Sequence, residues 1–268
     1  MAHGLKDIDW GTPWLAIWRP WGEPVARRVV GGESVAQALN TQCSALSPVR
    51  FVSADVLPAD RGYESFIAQS RTCPTRDNLH DFFNGLAWLA FPRTKLRLNQ
   101  LHLTHLARHS GRRGAARDAL TVFDENAALM CAPDVLWQAL LAKDWAALFG
   151  PLKPLWDEAQ VRVFGHALLE KLMAPRKAIT AHVLRVPSGL PNLGELDAWL
   201  DAELQQKTLR TSVFAHLPVL GVPGWWQPNA NPAFYADPTV FRSPRQGAKY
   251  AKNVGASWGG DQDLLAEF

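Results

Sequence analysis

The chain has 268 residues, of which 47% are hydrophobic and 20% charged, and its formal net charge is +3. This composition excludes a largely disordered chain, and the mild charge gives no argument for an acidic partner. The cysteines Cys43, Cys73 and Cys131 are far apart and odd in number, which favours a reducing compartment over a disulfide framework. No signal-peptide layout and no run of about 18 apolar residues occurs, so we expect a cytoplasmic protein without a membrane span.

Tryptophan is abundant, with 12 residues in the chain. Near the N-terminus Trp10, Trp14 and Trp18 are spaced by four, but Pro13 and Pro20 limit any helix there to about two turns. Such large rings favour a segment packed onto the core, with an aromatic ligand platform as the alternative.

The first regular elements follow this segment. "GGESVAQALNTQ" predicts a short helix from Ser34 to about Gln42. "VRFVSADVLP" predicts a strand over 49–58, which Pro58 ends, and "RGYESFIAQS" predicts a helix.

A pair of helices is predicted in "NLHDFFNGLAWLAFPRTK", residues 78–95. The first, over Leu79–Phe91, has an N-cap candidate in Asp77 and one broad apolar side. Pro92 ends it and suits the first turn of the second helix, which we expect to reach about His109.

In the second half of the chain, helices and strands alternate without a regular βαβ rhythm. "DALTVFDENAALMC" (118–131) predicts a β-hairpin, whereas 133–150 and 154–173 each predict a helix. "KAITAHVLRVP" predicts a strand, and "NLGELDAWLDAELQQ" predicts an amphipathic helix capped by Asn192. From Pro218 onward the many prolines argue against regular structure.

These elements favour an α+β fold with more helices than strands. We expect a helix-rich single globular domain over residues 1–245, with a small, mostly antiparallel sheet and a long, irregular C-terminal wrap rich in proline and tryptophan. Residues 246–268 predict a polar, glycine-containing tail that is ordered only where it docks.

The first candidate site is the polar side of the Leu79–Phe91 helix. It carries no Lys, Arg or Glu, and within about 100° of the helical wheel it carries His80, Asp81, Asn84 and Trp88. Gly85 costs about 1 kcal/mol relative to alanine, which is tolerated where another backbone or a ligand approaches closely. This polar side therefore faces protein or a pocket. Its polar groups either tie the helix to the C-terminal wrap or line a polar pocket.

The second helix adds a histidine row, His102, His105 and His109, within about 60° of the wheel. Such spacing can place imidazoles on one metal ion, although a solvated row is the simpler interpretation. Lys95 and Asn99 share the side of His102 and could join the pocket.

A third pattern is His166 and Glu170, four residues apart, with His182 on the following strand. These three could bind a divalent metal, or the carboxylate could orient an imidazole that acts as a general base. They could also include only an ordinary i,i+4 pair. The sequence therefore leaves both metal and cofactor open.

Several enzyme classes are excluded by missing motifs. No P-loop, no GxGxxG after a strand, no GxSxG and no HExxH occurs. The doublet His80–Asp81 matches HD-type phosphohydrolases poorly, because the only upstream histidine is His3.

Three longer stretches carry a family resemblance: "LHDFFNGLAWLAFPRTK", "DALTVFDENAAL" and "LPVLGVPGWWQPNANPAFYADPTVFR". On these stretches the chain resembles, along nearly its whole length, a bacterial domain-of-unknown-function family, DUF family 3025. "FDENAA" departs from the Asp-Glu-Asn-Gly expected of that family, and Ala127 implies a hairpin that depends less on glycine. The resemblance implies a bacterial protein, and it supplies no activity or catalytic residue to transfer.

Our first hypothesis is a hydrolase-type enzyme that acts on a small molecule. Its polar pocket would lie between the Leu79–Phe91 helix, the predicted helix that carries His166, and the C-terminal wrap. His80 or His166 would serve as acid or base. Asp81 or Glu170 would orient an imidazole or bind a cation.

Other side chains of this pocket would bind the substrate, with Asn84 and Lys95 on an anionic or polar group. The candidate catalytic residues are His80, Asp81, Asn84, Lys95, His166, Glu170 and His182. The candidate substrate-binding residues are Trp88, Asn99, His102, Trp225, Trp226 and Asn229.

The second hypothesis is a non-catalytic binding protein, whose tryptophans and Arg108–Arg117 loop hold a partner. A solvated loop is the simpler interpretation of these basic residues, so nucleic acid is disfavoured as that partner. The sequence leaves the oligomeric state open.

Overall fold

The computed structural model describes residues 2–108, 114–190 and 192–243, and it has the expected helix-rich α+β architecture. Its helices are α1 (Ala2–Lys6), α2 (Arg19–Val30), α3 (Val35–Asn40), α4 (Tyr63–Ser70), α5 (Leu79–Ala90), α6 (Pro92–Arg108), α7 (Ala115–Asn126), α8 (Asp134–Ala142), α9 (Trp145–Phe149), α10 (His166–Leu172) and α11 (Leu193–Gln206). Its strands are β1 (Arg50–Ser53), β2 (Thr72–Thr75), β3 (Ala127–Cys131), β4 (Gln160–Val163), β5 (Thr180–Arg185) and β6 (Ala215–Pro218). Among the described helices, none combines the length and the apolar character that crossing a bilayer requires.

The strands form two small sheets. The larger sheet has the order β4-β3-β5-β6, with β3 antiparallel to β4 and parallel to β5, and with β6 antiparallel to β5. The strands β1 and β2 form a separate parallel pair, which the sequence does not predict.

The core is built around α5. Phe82 and Leu86 recur at helical spacing and are fully buried, as a helix with one broad apolar side requires. Trp14 and Trp18 are also buried, so the N-terminal segment packs onto this core. The indole Nε1 of Trp18 donates to the backbone oxygen of Val163 over 2.9 Å and ties the segment to β4.

Capping residues begin several helices close to their predicted positions. Ser34 forms a capping box at α3, and Asn192 caps α11. At α5 the predicted cap is wrong, because Asn78 and not Asp77 accepts a backbone N–H of the first turn. The Asp77 carboxylate instead accepts the first backbone N–H of α3 over 2.7 Å.

The hairpin predicted over 118–131 is wrong. The segment is the end of α7 followed directly by β3. Leu120 and Phe123 lie at helical spacing and are buried, and this pattern outweighs the short alternation around them. Ala127 begins β3 opposite His182 of the parallel strand β5, so no turn at this position needs a glycine.

Two predicted helices are divided in the structure. Within 133–150, Lys143 adopts a left-handed conformation with φ of 53° and ends α8, after which Asp144 caps α9. Within 154–173, a 3-10 segment and β4 come first, and α10 begins only at His166. Because β4 is only four residues long, its period of two does not stand out in the sequence.

The first small sheet also differs from the sequence-based expectation. The strand β1 covers Arg50–Ser53, a part of the predicted 49–58. The strand β2 contains Pro74, which argues against a strand but is tolerated here because β2 pairs on one side only.

After β6 the chain follows an irregular path, as its prolines predict. Short 3-10 turns occur at Val219–Gly221, Gln227–Ala230 and Pro232–Ala236. Phe234 is buried in this wrap and packs on other aromatic rings. The tail predicted over 246–268 lies outside the described residues, and the domain limit at 245 stays a prediction.

Candidate functional site

A cavity of about 460 Å³ lies where α4, β2, α5, α6, α7 and the start of α10 meet. Many of the polar residues singled out in the sequence line it: His80, Asp81, Asn84, Trp88, Lys95, Asn99, His102 and His166. The polar side of α5 therefore faces a pocket. Its volume is in the range that small-molecule sites occupy.

Helix α5 presents His80, Asn84 and Trp88 to the cavity because residues four apart lie on one helical face. Gly85 lies on a neighbouring face and serves packing. A Cβ atom there would lie 2.2 Å from Cδ1 of the buried Leu39. The close approach inferred for this glycine is thus made by a side chain of α3, and the cavity does not need it.

Lys95 and Asp124 form a mostly buried ion pair between α6 and α7. The Lys95 Nζ lies 2.5 Å from Asp124 Oδ1, and the two side chains are 5% and 19% exposed. Burial opposes ionisation of Asp124, but the Lys95 ammonium and the His166 imidazole outweigh it and lower the pKa of this carboxyl below its ordinary value. Lys95 is therefore already neutralised within the protein.

His166 is positioned by a close backbone contact at the start of α10. A Cβ atom on Gly165 would lie 2.4 Å from the backbone oxygen of Glu125 and 2.5 Å from the backbone nitrogen of Asn126, so glycine lets α10 approach the end of α7. At this approach His166 Nδ1 lies 2.8 Å from the backbone oxygen of Asp124. Burial lowers the pKa of His166 to about 4, so its imidazole is neutral near pH 7.

The second imidazole nitrogen of His166 faces His80. The two Nε2 atoms are 3.2 Å apart, and the rings are inclined at 75°. On its other side His80 Nδ1 lies 3.0 Å from a carboxylate oxygen of Glu170, one turn along α10. Glu170 does not line the cavity, and it acts on the cavity through His80.

Glu64 is a wall residue that the sequence does not reveal. It lies in the first turn of α4, where an acidic residue is ordinary, so no local signal separates it from a capping charge. Its carboxylate accepts a short hydrogen bond from the Asn99 amide of α6. Burial raises the pKa of Glu64, opposed by that hydrogen bond and by the charge of Lys95.

Two predicted site residues on α5 have structural partners. Asp81 accepts two side-chain hydrogen bonds from the Arg76 guanidinium and one from the Arg76 backbone N–H. Of the two carboxylates expected to orient an imidazole or bind a cation, Asp81 pairs with the Arg76 guanidinium, and Glu170 is the one that lies beside an imidazole. Asn84 donates to the hydroxyl of Tyr63 over 3.1 Å, and that hydroxyl lies 3.2 Å from the Cys73 sulfur.

Four other candidates lie away from the cavity. His182 stands on β5 beside His216 of β6, with ring centroids 4.8 Å apart. Trp225 packs near Trp14, and Trp226 packs against an aromatic ring of the C-terminal wrap. The fourth is Asn229, which is buried and donates to two backbone carbonyls, so its role is structural.

The metal pattern predicted for His166, Glu170 and His182 is not assembled among the described residues. Within the described residues, no group of three or more His, Cys, Asp or Glu side chains is arranged to hold a metal ion. His182 is separated from the cavity that His166 lines, and His109 of the histidine row lies outside the described residues. Residues 109–113 of the Arg108–Arg117 loop also lie outside them.

A family model described as "Protein of unknown function (DUF3025)" matches residues 49–245 of this chain. No curated protein and no solved structure matches it. The matched span contains every residue that lines the cavity.

Proposed function

We propose that this chain, which belongs to the DUF3025 family of proteins of unknown function, is a hydrolase-type enzyme whose paired histidines transfer protons to and from a small polar substrate. The observation that supports this proposal is a row of hydrogen bonds, Glu170–His80–His166–Asp124, beside a cavity of about 460 Å³. Imidazoles are the side chains best suited to general acid–base catalysis near neutral pH.

The hydrogen-bond partners define where the protons lie. A backbone carbonyl can only accept, so His166 carries its proton on Nδ1, toward Asp124, and its Nε2 is an acceptor. His80 Nε2 therefore donates to His166, and His80 Nδ1 donates to the ionised Glu170 carboxylate. The proposed mechanism therefore uses His80 as the proton donor and His166 as the neutral base.

Hydrolysis would use His80 as the acid and His166 as the base. When substrate and water enter beside the two rings, the hydrogen bond between the Nε2 atoms opens, and His166 Nε2 accepts a proton from water as the water oxygen attacks the electrophilic atom of the substrate. The proton on His80 Nε2 passes to the leaving group as the bond to that group breaks. One product fragment thereby gains OH and the other gains H, so the atoms of one water are accounted for.

The contact between the two imidazoles also restores the starting state. After turnover His166 holds an additional proton, and His80 has lost one. Their Nε2 atoms are 3.2 Å apart, so the proton can pass directly from one ring to the other. Burial lowers the pKa of His166 to about 4, which favours this transfer, and Glu170 stabilises the charge restored on His80.

The test compares wild type with His166→Asn on chromogenic carboxylic esters, anilides, glycosides, phosphomonoesters and phosphodiesters. The Asn amide can still donate to the backbone oxygen of Asp124 but has no group at the Nε2 position. We expect wild type to turn over one of these classes and His166→Asn to be slower by roughly 10²–10⁴-fold, the usual contribution of a general base.

His216→Asn is the matched control, because His216 is exposed on β6 and does not line the cavity. It should retain the wild-type rate, and circular dichroism should show all three proteins folded. Turnover that survives in His166→Asn would contradict the proposed mechanism. The absence of turnover for every class would refute the proposed activity on these bonds.

A further inference from the structure

Among the described residues that line the cavity, no Lys or Arg side chain is left without an ion-pair partner. Lys95 and Arg76 line it, and they form ion pairs with the carboxylates of Asp124 and Asp81. The imidazoles of the wall also have partners. An anionic ligand would therefore have to compete with carboxylates that are already in place.

The cavity wall does, in contrast, contain carboxylates that lack an ion-pair partner. Glu64 and Glu125 both line the cavity, and within the described residues neither forms an ion pair. Among the described residues, the Glu64 carboxylate accepts a hydrogen bond only from Asn99, and the Glu125 side chain has no hydrogen-bond partner. Burial raises the pKa of Glu64 although the Asn99 hydrogen bond and the charge of Lys95 oppose it, so its ionised form is only partly compensated.

The amide of Asn99 also leaves a hydrogen-bond acceptor at the cavity wall. It is 2% exposed and lines the cavity, and its Nδ2 donates to two oxygens of Glu64. Both of those partners are acceptors, which identifies the remaining amide atom as the carbonyl oxygen. That Oδ1 has no hydrogen-bond partner among the described residues. A buried acceptor without a donor is costly, and a donor on a bound ligand would recover part of this cost.

We propose that the cavity selects a small ligand that carries a positively charged hydrogen-bond donor, such as a primary ammonium or a guanidinium, which Glu64 and Glu125 receive. This inference rests on the proposed function, since it names the substrate class of the same site. It also narrows the expectation that Asn84 and Lys95 contact an anionic or polar group, because it disfavours the anionic alternative. Trp88 also lines the cavity and supplies an aromatic surface, as sites for organic cations often do.

The test measures binding, so it does not depend on turnover. Fragments of matched size in three classes, amines and guanidines, neutral alcohols and amides, and carboxylates and phosphates, are screened by saturation-transfer NMR. The strongest amines are then titrated calorimetrically into wild type, Glu64→Gln, Glu125→Gln and Glu195→Gln. Glu195 is exposed on α11 and does not line the cavity, so it provides the matched control.

We expect amines and guanidines to bind best, and each cavity variant to bind them at least tenfold more weakly, with Glu195→Gln unchanged. Binding should persist in His166→Asn, which separates this inference from the failure or success of the catalytic proposal. If Glu64→Gln does not fold, Glu125→Gln decides. Preferential binding of anionic or neutral fragments, no binding of any class, or amine affinity unchanged in the cavity variants would overturn the proposal.

Discussion

Replacing Lys95 by methionine should destabilise the protein strongly, because it leaves the Asp124 carboxylate mostly buried without its cation. The ion pair spans 2.5 Å, and its side chains are 5% and 19% exposed. At an effective dielectric constant of about 20, the Coulomb attraction at this distance is roughly 7 kcal/mol. Desolvation offsets much of it, and removal of one partner of a buried pair typically costs about 3–5 kcal/mol. We therefore expect a loss of about that size, equivalent to roughly 10 °C in melting temperature for a chain of this length.

Urea and thermal unfolding at several pH values measure this loss. In the variant the pKa of Asp124 should rise, since the main charge that lowers it is gone. The deficit relative to wild type should therefore shrink as the pH falls and Asp124 becomes protonated. Lys207→Met is the matched control, because Lys207 forms a partly exposed i,i+4 pair with Glu203 that is worth at most about 1 kcal/mol.

Two results would refute this reasoning. One is a loss in Lys95→Met no larger than in Lys207→Met. The other is a loss that does not change with pH. The double variant Lys95→Met/Asp124→Leu should recover most of the stability, because it removes both buried charges together.

Stability should also fall in mildly acidic solution, because the pKa of His166 is lowered from 6.5 to about 4 in the folded protein. The free energy of unfolding should therefore be unaffected by His166 above pH 6.5 and should decrease by about 3 kcal/mol as the pH falls toward 4. Unfolding of wild type and His166→Asn at pH 7 and pH 5 tests this, and equal pH dependence in both would contradict it. Asn229→Ala should cost about 2–4 kcal/mol in urea unfolding, because two buried carbonyls lose their donor, while ligand binding in the cavity is unchanged. Gly165→Ala should lower the free energy of unfolding by roughly 1–3 kcal/mol and lower activity, because the added Cβ would meet backbone atoms at 2.4–2.5 Å. A variant as stable and active as wild type would contradict this expectation.

Much of the helix that lines the cavity could be predicted from the sequence. The apolar spacing of α5, the break at Pro92 and the absence of long charged side chains beside His80 are all local signals. They indicate that Asn84 and Trp88 face a sheltered space, and the cavity lies on that side. The sequence of a single helix does not indicate which distant residues that helix contacts.

The contacts that complete the site are long-range. His80 and His166 are 86 residues apart in the chain, and no periodicity connects them. The hairpin predicted over 118–131 contains Asp124, which instead lies in the last turn of α7, where its backbone oxygen is 2.8 Å from His166 Nδ1. Glu64 resembles any acidic residue in a first helical turn. Asn229 is the opposite case, because the sequence analysis names it as a candidate substrate-binding residue, while its side chain donates to backbone carbonyls nearby in the chain.

The direct passage from α7 into β3 has a consequence for how this protein can change in length. Asn126 is the last helical residue and Ala127 the first residue of the strand, with no connecting residue between them. One residue inserted or deleted at this junction would rotate the preceding helix by about 100° or reverse the faces of the strand. Either change would separate Asp124 from its partners or disturb a strand that pairs on both sides. Length variants at this junction should therefore be lethal to folding or to the cavity.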